Sequence, residues 1–164
     1  MVESDKHREV REKLESNLRD LDLNFFSSHD TRSEDMGPAL YIKDPRRKDE
    51  TRTGCQVSQP DIMIKRKDGL EVIEIEKSAK NPKYILGDIY AVHKSKFYSD
   101  EKGRLNEIDG KVSLFIVIAE ERPVKGTKEE QYRNLIEAVD REDGTLDDLK
   151  LFWLDELDKF EEVF

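Results

Sequence analysis

The stretch at 70–82, LEVIEIEKSAKNP, places two carboxylates on one face of a predicted β-strand. Successive residues of a strand point to opposite faces, so Glu74 and Glu76 continue the face that begins with Leu70 and Val72. A strand with one solvated face alternates apolar and polar residues throughout, and this one does not. The two glutamates are therefore candidate site residues, with an ordinary acidic hairpin face as the alternative.

The segment that precedes them, PDIMIKRKDGLEVIEIE, predicts a β-hairpin turning at Asp68-Gly69. A two-residue loop there sets Asp61 opposite Glu76, and a four-residue loop sets it opposite Glu74. Both registers place Asp61 on the face of the two glutamates, whereas a three-residue loop would scatter the acids. Three like charges at this spacing repel one another. A hard cation relieves that repulsion, and Mg²⁺, with Mn²⁺ as a substitute, prefers oxygen ligands.

The composition favours one compact domain spanning residues 1–164 with a heavily charged surface. The chain has 164 residues, of which 41% are charged and 35% hydrophobic, and its net charge is −9. That charge is uneven: residues 1–42 carry −4, residues 43–104 carry +4 and residues 105–164 carry −9. Apolar runs such as VSLFIVIAE argue against general disorder. Only the middle of the chain has the positive balance that a polyanion requires.

Targeting features favour a cytoplasmic protein without a membrane partner. The N-terminal residues MVESDKHREV lack the apolar core of a signal peptide, and no apolar run approaches the roughly 18 residues of a membrane span. Cys55 is the single cysteine, which excludes an intramolecular disulfide and a multi-cysteine zinc site and favours a reducing compartment.

Hydrophobic periodicity predicts an α/β fold, with a central mixed β-sheet flanked by helices. An amphipathic helix with Ser4 as its cap is followed by a strand and then by about thirty polar residues that contain the short apolar segment ALYIK. The elements, in order, are a helix at 5–20, a strand at 23–27, the hairpin at 60–76, a helix at 84–98 after Asn81 and Pro82, a strand in KVSLFIVIAE, a helix in TKEEQYRNLIEAVDRE after Thr127, and a strand in LKLFWL.

Pro60-Asp61, followed after twelve residues by Glu74-Ile75-Glu76, resembles the motif of the PD-(D/E)xK nucleases, the restriction-endonuclease-like superfamily. The resemblance implies a core of helix, strand, hairpin, helix and strand, an order that residues 5–119 match. It also implies that Asp61 and Glu74 bind Mg²⁺. The third motif position is usually lysine and is Glu76 here, as in some restriction enzymes of the superfamily, so Glu76 would bind a second metal or take a proton from water.

The implied function is a Mg²⁺-dependent endonuclease that hydrolyses DNA phosphodiester bonds, either restriction-like or structure-specific. Lys77 would join the catalytic residues by stabilising the charge that develops on the phosphate, and symmetrical cutting of both strands favours a homodimer. The predicted DNA contacts are Arg46, Arg47, Lys48, Arg52, Lys94 and Lys96. The ordinary alternative for each of these cations is a solvated surface charge.

Two other functions stay open at this point. A nuclease fold without catalysis would serve as a binding or protein-interaction module, and Glu76 would then mark the decay of the site. An acidic interaction domain would dock through the amphipathic segment DELDKFEEVF. His7 and His93 lie near apolar helix faces and are predicted to be packed rather than catalytic, and no acid of the first helix is nominated. Metal binding separates the nuclease from the alternatives.

Overall fold

The computed structural model describes residues 4–27, 37–123, 127–138 and 144–164. Within these ranges the chain forms five α-helices and nine β-strands, besides the 3-10 turns Leu154–Glu156 and Glu161–Val163. The helices are α1 (Asp5–Asp20), α2 (Arg52–Cys55), α3 (Pro82–Lys94), α4 (Thr127–Ala138) and α5 (Leu157–Phe160). The strands are β1 (Phe25–Ser27), β2 (Ala39–Tyr41), β3 (Gln56–Ser58), β4 (Ile62–Arg66), β5 (Gly69–Glu76), β6 (Phe97–Ser99), β7 (Leu105–Glu107), β8 (Lys111–Ile118) and β9 (Leu146–Trp153).

The central sheet has five strands in the order β1-β4-β5-β8-β9. β1, β4 and β5 are antiparallel neighbours, while β5, β8 and β9 are parallel, so the sheet is mixed as predicted. One face packs against α3 and α4, and the other packs against α1 and α5. The α/β class with helices on both faces of a central sheet is therefore confirmed.

The hairpin of β4 and β5 adopts one of the two predicted even registers, the one that sets Asp61 opposite Glu74. Its turn residues are Lys67 and Asp68, so the predicted turn at Asp68-Gly69 is wrong by one residue. Arg66 pairs with Gly69 and Ile62 pairs with Ile73, which brings Asp61, one residue further, opposite Glu74. The hairpin faces are also those predicted. The residues on the α1 side are Ile62, Ile64, Ile73 and Ile75, and those on the α3 side are Met63, Leu70 and Val72.

The first helix agrees with its prediction, including the cap. The Ser4 hydroxyl accepts a hydrogen bond from the backbone N–H of His7 at 3.3 Å, and α1 covers Asp5–Asp20. Val10, Leu14 and Leu18 bury its apolar stripe against the sheet.

The second predicted helix is too long at its C-terminus. It begins at Pro82 with the Asn81 cap as predicted, but it ends at Lys94, and Ser95 is already extended. Phe97–Ser99 forms β6 instead, paired with β2. That pairing partner lies far away in sequence, in the region read as a long polar segment, so helical periodicity gives no sign of it.

A second, four-stranded antiparallel sheet, in the order β3-β2-β6-β7, was not predicted. The expected short strand in ALYIK is its strand β2, and α2 and β3 follow within the same polar region. The last strand starts at Leu146, earlier than expected. The helix predicted at 127–142 corresponds to α4. Its predicted last residues, 139–142, are not among the described residues, and the side chain of Thr127, its predicted cap, is not described either.

The C-terminal segment DELDKFEEVF is part of the core, so its prediction as a free docking segment is wrong. Leu157 and Phe160 are fully buried against the α1 side of the sheet. The Phe160 ring packs edge-on against Phe115 and Phe152, with centroids 5.6 and 5.1 Å away. None of the helices among the described residues is long and apolar enough to cross a bilayer.

Candidate acidic site

Two strands bring three carboxyl groups together at one end of the central sheet. Asp61 stands just before β4, and Glu74 and Glu76 end β5 on the face that α3 covers. Oδ2 of Asp61 accepts the backbone N–H of Ile75 at 2.8 Å, which fastens the start of one strand to the end of the other. The predicted convergence of the three acids is therefore present in the fold.

Glu74 is the most enclosed of these acids, with 7% of its surface exposed. The Ser58 hydroxyl donates to its Oε1 at 3.0 Å. Burial, followed by the negative charges of Asp88 and Asp61, raises the pKa of Glu74 well above its ordinary value, and the bond from Ser58 opposes this shift. A carboxyl group in this position keeps its proton to a higher pH than an exposed glutamate does, and a nearby positive charge would oppose this shift.

Asp88, on α3, is a fourth acid that the sequence analysis missed. As a carboxylate, its buried Oδ2 has no hydrogen-bond donor among the described residues, whereas a protonated group bonds to the adjacent Glu76. Burial, then Glu76 and finally the charge of Asp61 raise the pKa of Asp88 from 3.8 to about 8. A signal was present, because helical spacing puts Asp88 on the same side of α3 as the buried Ile85 and Val92.

The two histidines differ in their surroundings. His7 is packed, with 13% of its side chain exposed, and its Nε2 also lies 3.1 Å from Oδ1 of Asp61, a contact with the acidic site that was not predicted. His93 is packed, with 3% of its surface exposed, as predicted. The first helix also holds a buried acid, Glu15, but it pairs with Arg11 at 2.9 Å along the helix. His7 is therefore the contact between α1 and the acidic site.

The four acids suit a hard divalent cation in their chemistry, although they do not form a ready-made ligand set. Among residues 4–27, 37–123, 127–138 and 144–164, no three His, Cys, Asp or Glu side chains are arranged to hold a metal ion. Carboxylate oxygens are the ligands that Mg²⁺ prefers, and the buried Oδ2 of Asp88 lacks a donor. Because acidic ligands must be deprotonated, binding a cation would release the protons that Glu74 and Asp88 retain.

The loop cations predicted to contact DNA are partly engaged within the protein. The guanidinium of Arg46 forms two hydrogen bonds of 2.9 Å to Asp44, which lower the pKa of Asp44 to about 2. The guanidinium of Arg52 donates to the carbonyl of Gly103 at 2.9 Å. Arg47 and Lys48 are exposed. This loop therefore offers fewer available cations than its sequence implies.

The other predicted cations lie on either side of α3. Lys77 follows β5 directly and is exposed, Lys94 is the last residue of α3 and is half-buried, and Lys96 is exposed. Lys77 is adjacent in the chain to Glu76, but strand alternation directs it away from the face of the acids, and no ion pair joins it to them among the described residues.

Comparison with protein-family models, with curated proteins and with solved structures finds no match to this chain. The fold and the site define a mixed α/β protein with a partly buried cluster of acids at one end of its central sheet. Its function has to be argued from that cluster.

Proposed function

We propose that this protein is a Mg²⁺-dependent endonuclease with a restriction-endonuclease-like core, which hydrolyses phosphodiester bonds of DNA. The observation that carries the proposal is the convergence of Asp61, Glu74 and Glu76, at the motif spacing, on one face of the sheet. The electrostatics of Glu74 support it further, because a buried acid among like charges is typical of sites that bind cations.

The order of elements supports the same core. α1, β1, the hairpin of β4 and β5, α3 and β8 follow one another as helix, strand, hairpin, helix and strand, with the second sheet inserted between them. The hairpin strands are antiparallel, and β8 returns parallel to β5 after α3. This connection sets α3, and with it Asp88, over the face that carries the acids.

Asp61 and Glu74 would hold the Mg²⁺ ion. Such an ion polarises the scissile phosphate and lowers the pKa of a bound water. Glu76, on the same strand face, would take a proton from a water that the ion holds, and Asp88 on α3 lies beside Glu76. His7 and the N–H of Ile75 fix the two oxygens of Asp61. Lys77, exposed just after β5, would have to turn toward the site to stabilise charge on the phosphate.

A second candidate is a catalytically inactive module of the same fold that binds nucleic acid or protein. The observation that favours it is that the acids have partners within the protein: Ser58 donates to Glu74, His7 contacts Asp61, and a protonated Asp88 can bond to the adjacent Glu76. The occurrence of Glu76 in place of the motif lysine fits the same interpretation. Metal binding and cleavage distinguish the two candidates.

The test is cleavage of supercoiled plasmid DNA in Mg²⁺ and, separately, in Mn²⁺. The wild-type protein is expected to nick or linearise the plasmid, and Asp61→Asn and Glu74→Gln are expected to abolish cleavage. Glu101→Gln, which alters an exposed acid in a turn far along the chain, is the matched control and should cut normally. An intact plasmid with both metals, or equal cleavage by all four proteins, would contradict the nuclease.

Light scattering on the purified protein, without plasmid, tests the proposed homodimer. A mass of two chains is expected, because two sites are needed to cut both strands symmetrically. A single-chain mass together with double-strand cuts would contradict that arrangement.

A further inference from the structure

The positive balance of the middle of the chain is concentrated around α3. Residues 77–96 contain five lysines, Lys77, Lys80, Lys83, Lys94 and Lys96, and one acid, Asp88. This gives +4 in a protein whose net charge is −9. Asp88 turns inwards to the acidic site, so the outward surface of the segment carries lysines without acids.

The exposed face of α3 is aromatic as well as basic. Ile85, Ile89 and Val92 bury the opposite face in the core. Outside, 65% of Tyr84 and 57% of Tyr90 are exposed. Gly87 lies between them, with no atom within 4 Å of the position where a Cβ would stand, so the helix surface there is open. Two exposed aromatic side chains on a helix whose opposite face is buried in the core indicate a surface that another molecule covers.

The lysines beside this face are available for a partner. None of the five forms an ion pair with any residue in the described part of the chain, in contrast to Arg46 with Asp44 and Lys43 with Glu50 in the loop at 43–52. A cation without an internal counter-ion keeps its full attraction for phosphate.

We propose that the exposed face of α3 binds unpaired nucleotides of a nucleic acid, with Tyr84 and Tyr90 stacking on bases and Lys80 and Lys83 contacting phosphates. Aromatic rings interleaved with lysines form the surface on which single strands bind, since every base has a π-face. Charge decides against a second copy as the occupant, because a two-fold interface would bring the same lysine-rich face against itself. A polyanion complements this face directly.

The surface adjoins the acidic site through the helix. Tyr84 lies one turn before Asp88, four residues away, so a strand stacked on Tyr84 runs next to the carboxyl cluster. The effect on cleavage rests on the proposed nuclease function, whereas binding itself does not. For a nuclease, this placement selects frayed ends, flaps or other unpaired DNA as the substrate class.

Fluorescence anisotropy with a fluorescein-labelled oligothymidine of about 20 nucleotides, in EDTA, tests the surface without requiring metal or catalysis. Tyr84→Ala with Tyr90→Ala should weaken binding by at least about tenfold, given the usual contribution of a stacked base. Tyr84→Phe with Tyr90→Phe keeps both rings and should bind like the wild type. Since both tyrosines are exposed, circular dichroism is expected to show folded proteins throughout.

Salt dependence isolates the lysines. Lys80→Gln with Lys83→Gln should reduce the slope of log affinity against log salt by about 1.4, at about 0.7 per phosphate contact on a single strand. Lys13→Gln with Lys159→Gln removes equal charge from α1 and α5, across the sheet, and should leave the slope nearly unchanged. An equal reduction of the slope by both pairs of substitutions would show that the phosphate contacts are not confined to the α3 surface.

Three other outcomes would overturn the proposal. The first is unchanged affinity of the double alanine variant, and the second is tighter binding of a duplex than of the single strand, with an affinity that does not depend on the two tyrosines. The third is a protein dimer that dissociates only in the alanine variant while its DNA binding persists. The proposed nuclease fails separately. If the wild type binds the oligonucleotide but does not cleave plasmid, the nuclease proposal is contradicted and the binding surface is supported. If plasmid is cleaved but the double alanine variant binds as tightly as the wild type, the binding surface is contradicted and the nuclease proposal is supported.

Discussion

The imidazole Nε2 of His7 lies 3.1 Å from Oδ1 of Asp61 and joins the first turn of α1 to the residue before β4. The other oxygen of Asp61 accepts the backbone N–H of Ile75 in β5. Three elements therefore determine the orientation of one carboxylate. In metal sites, partners of this kind orient the ligand and are nearly as important as the ligand itself.

His7→Ala is expected to weaken Mn²⁺ binding by about 10- to 100-fold, the usual loss when a partner of a metal ligand is removed. The midpoint of a thermal-shift titration with Mn²⁺ measures this. His7→Gln provides an amide N–H at a similar reach and should retain more of the affinity. Identical midpoints for the wild type and both variants would show that His7 does not position Asp61.

Mn²⁺ itself should stabilise the wild-type protein, by about 2.7 kcal/mol at a hundred times its dissociation constant. The Asp61→Asn variant should lose most of this Mn²⁺-dependent stabilisation. In EDTA its free energy of unfolding should be close to that of the wild type, because the amide oxygen still accepts the Ile75 N–H. Melting temperatures with and without millimolar Mn²⁺ measure both effects. A wild-type melting curve that ignores Mn²⁺ would contradict a metal site.

Without metal, stability should fall as the pH rises from about 4 to about 8. The unfolded chain releases the Asp88 proton near the ordinary value of 3.8, while the folded protein holds it up to about pH 8, so unfolding releases a proton in this interval. The raised pKa of Glu74 acts in the same direction. Urea melts across this range in EDTA give the slope. Asp88→Asn should make the dependence of stability on pH less steep, whereas Asp109→Asn, at an exposed acid, should leave it unchanged. Equal slopes for the wild type and both variants would refute the effect.

Glu76→Gln should reduce the cleavage rate by roughly 100-fold or more, as loss of a general base does. Glu76→Lys creates the common motif, but it should not simply give full activity, because an ammonium group beside the metal would repel it unless the site works with a single ion. Single-turnover cleavage of a labelled duplex measures the rates. Full activity of Glu76→Gln would assign the proton transfer to another group, with Lys77 as the next candidate.

Phe160→Ala should lower the free energy of unfolding by about 3–5 kcal/mol, as for other large buried aromatic residues. The side chain is fully buried against Phe115 and Phe152, so truncation leaves a cavity beneath the sheet. Urea denaturation measures the loss, with Phe164→Ala, at a half-buried ring, as the milder comparison. A loss below about 1 kcal/mol would indicate that the segment is not docked in solution.

The sequence alone determined those features that depend on residues near one another in the chain. The cap and length of α1, the existence of the β4–β5 hairpin and the faces of its strands follow from periods of 3.6 and 2 and from turn chemistry, although the turn lies at Lys67-Asp68, one residue before the predicted position. The shared face of Asp61 and Glu74 was predictable for the same reason, since parity holds in either even register.

Only the tertiary structure decided which distant elements meet. The pairing of β2 with β6 joins segments more than fifty residues apart, and it ends α3 at Lys94 where helical periodicity continues. The approach of His7 to Asp61, and of Asp88 to Glu76, depends on how α1 and α3 pack on the sheet. Burial of the acids depends on it as well, because desolvation is a property of everything that surrounds a group, and local sequence does not encode those surroundings.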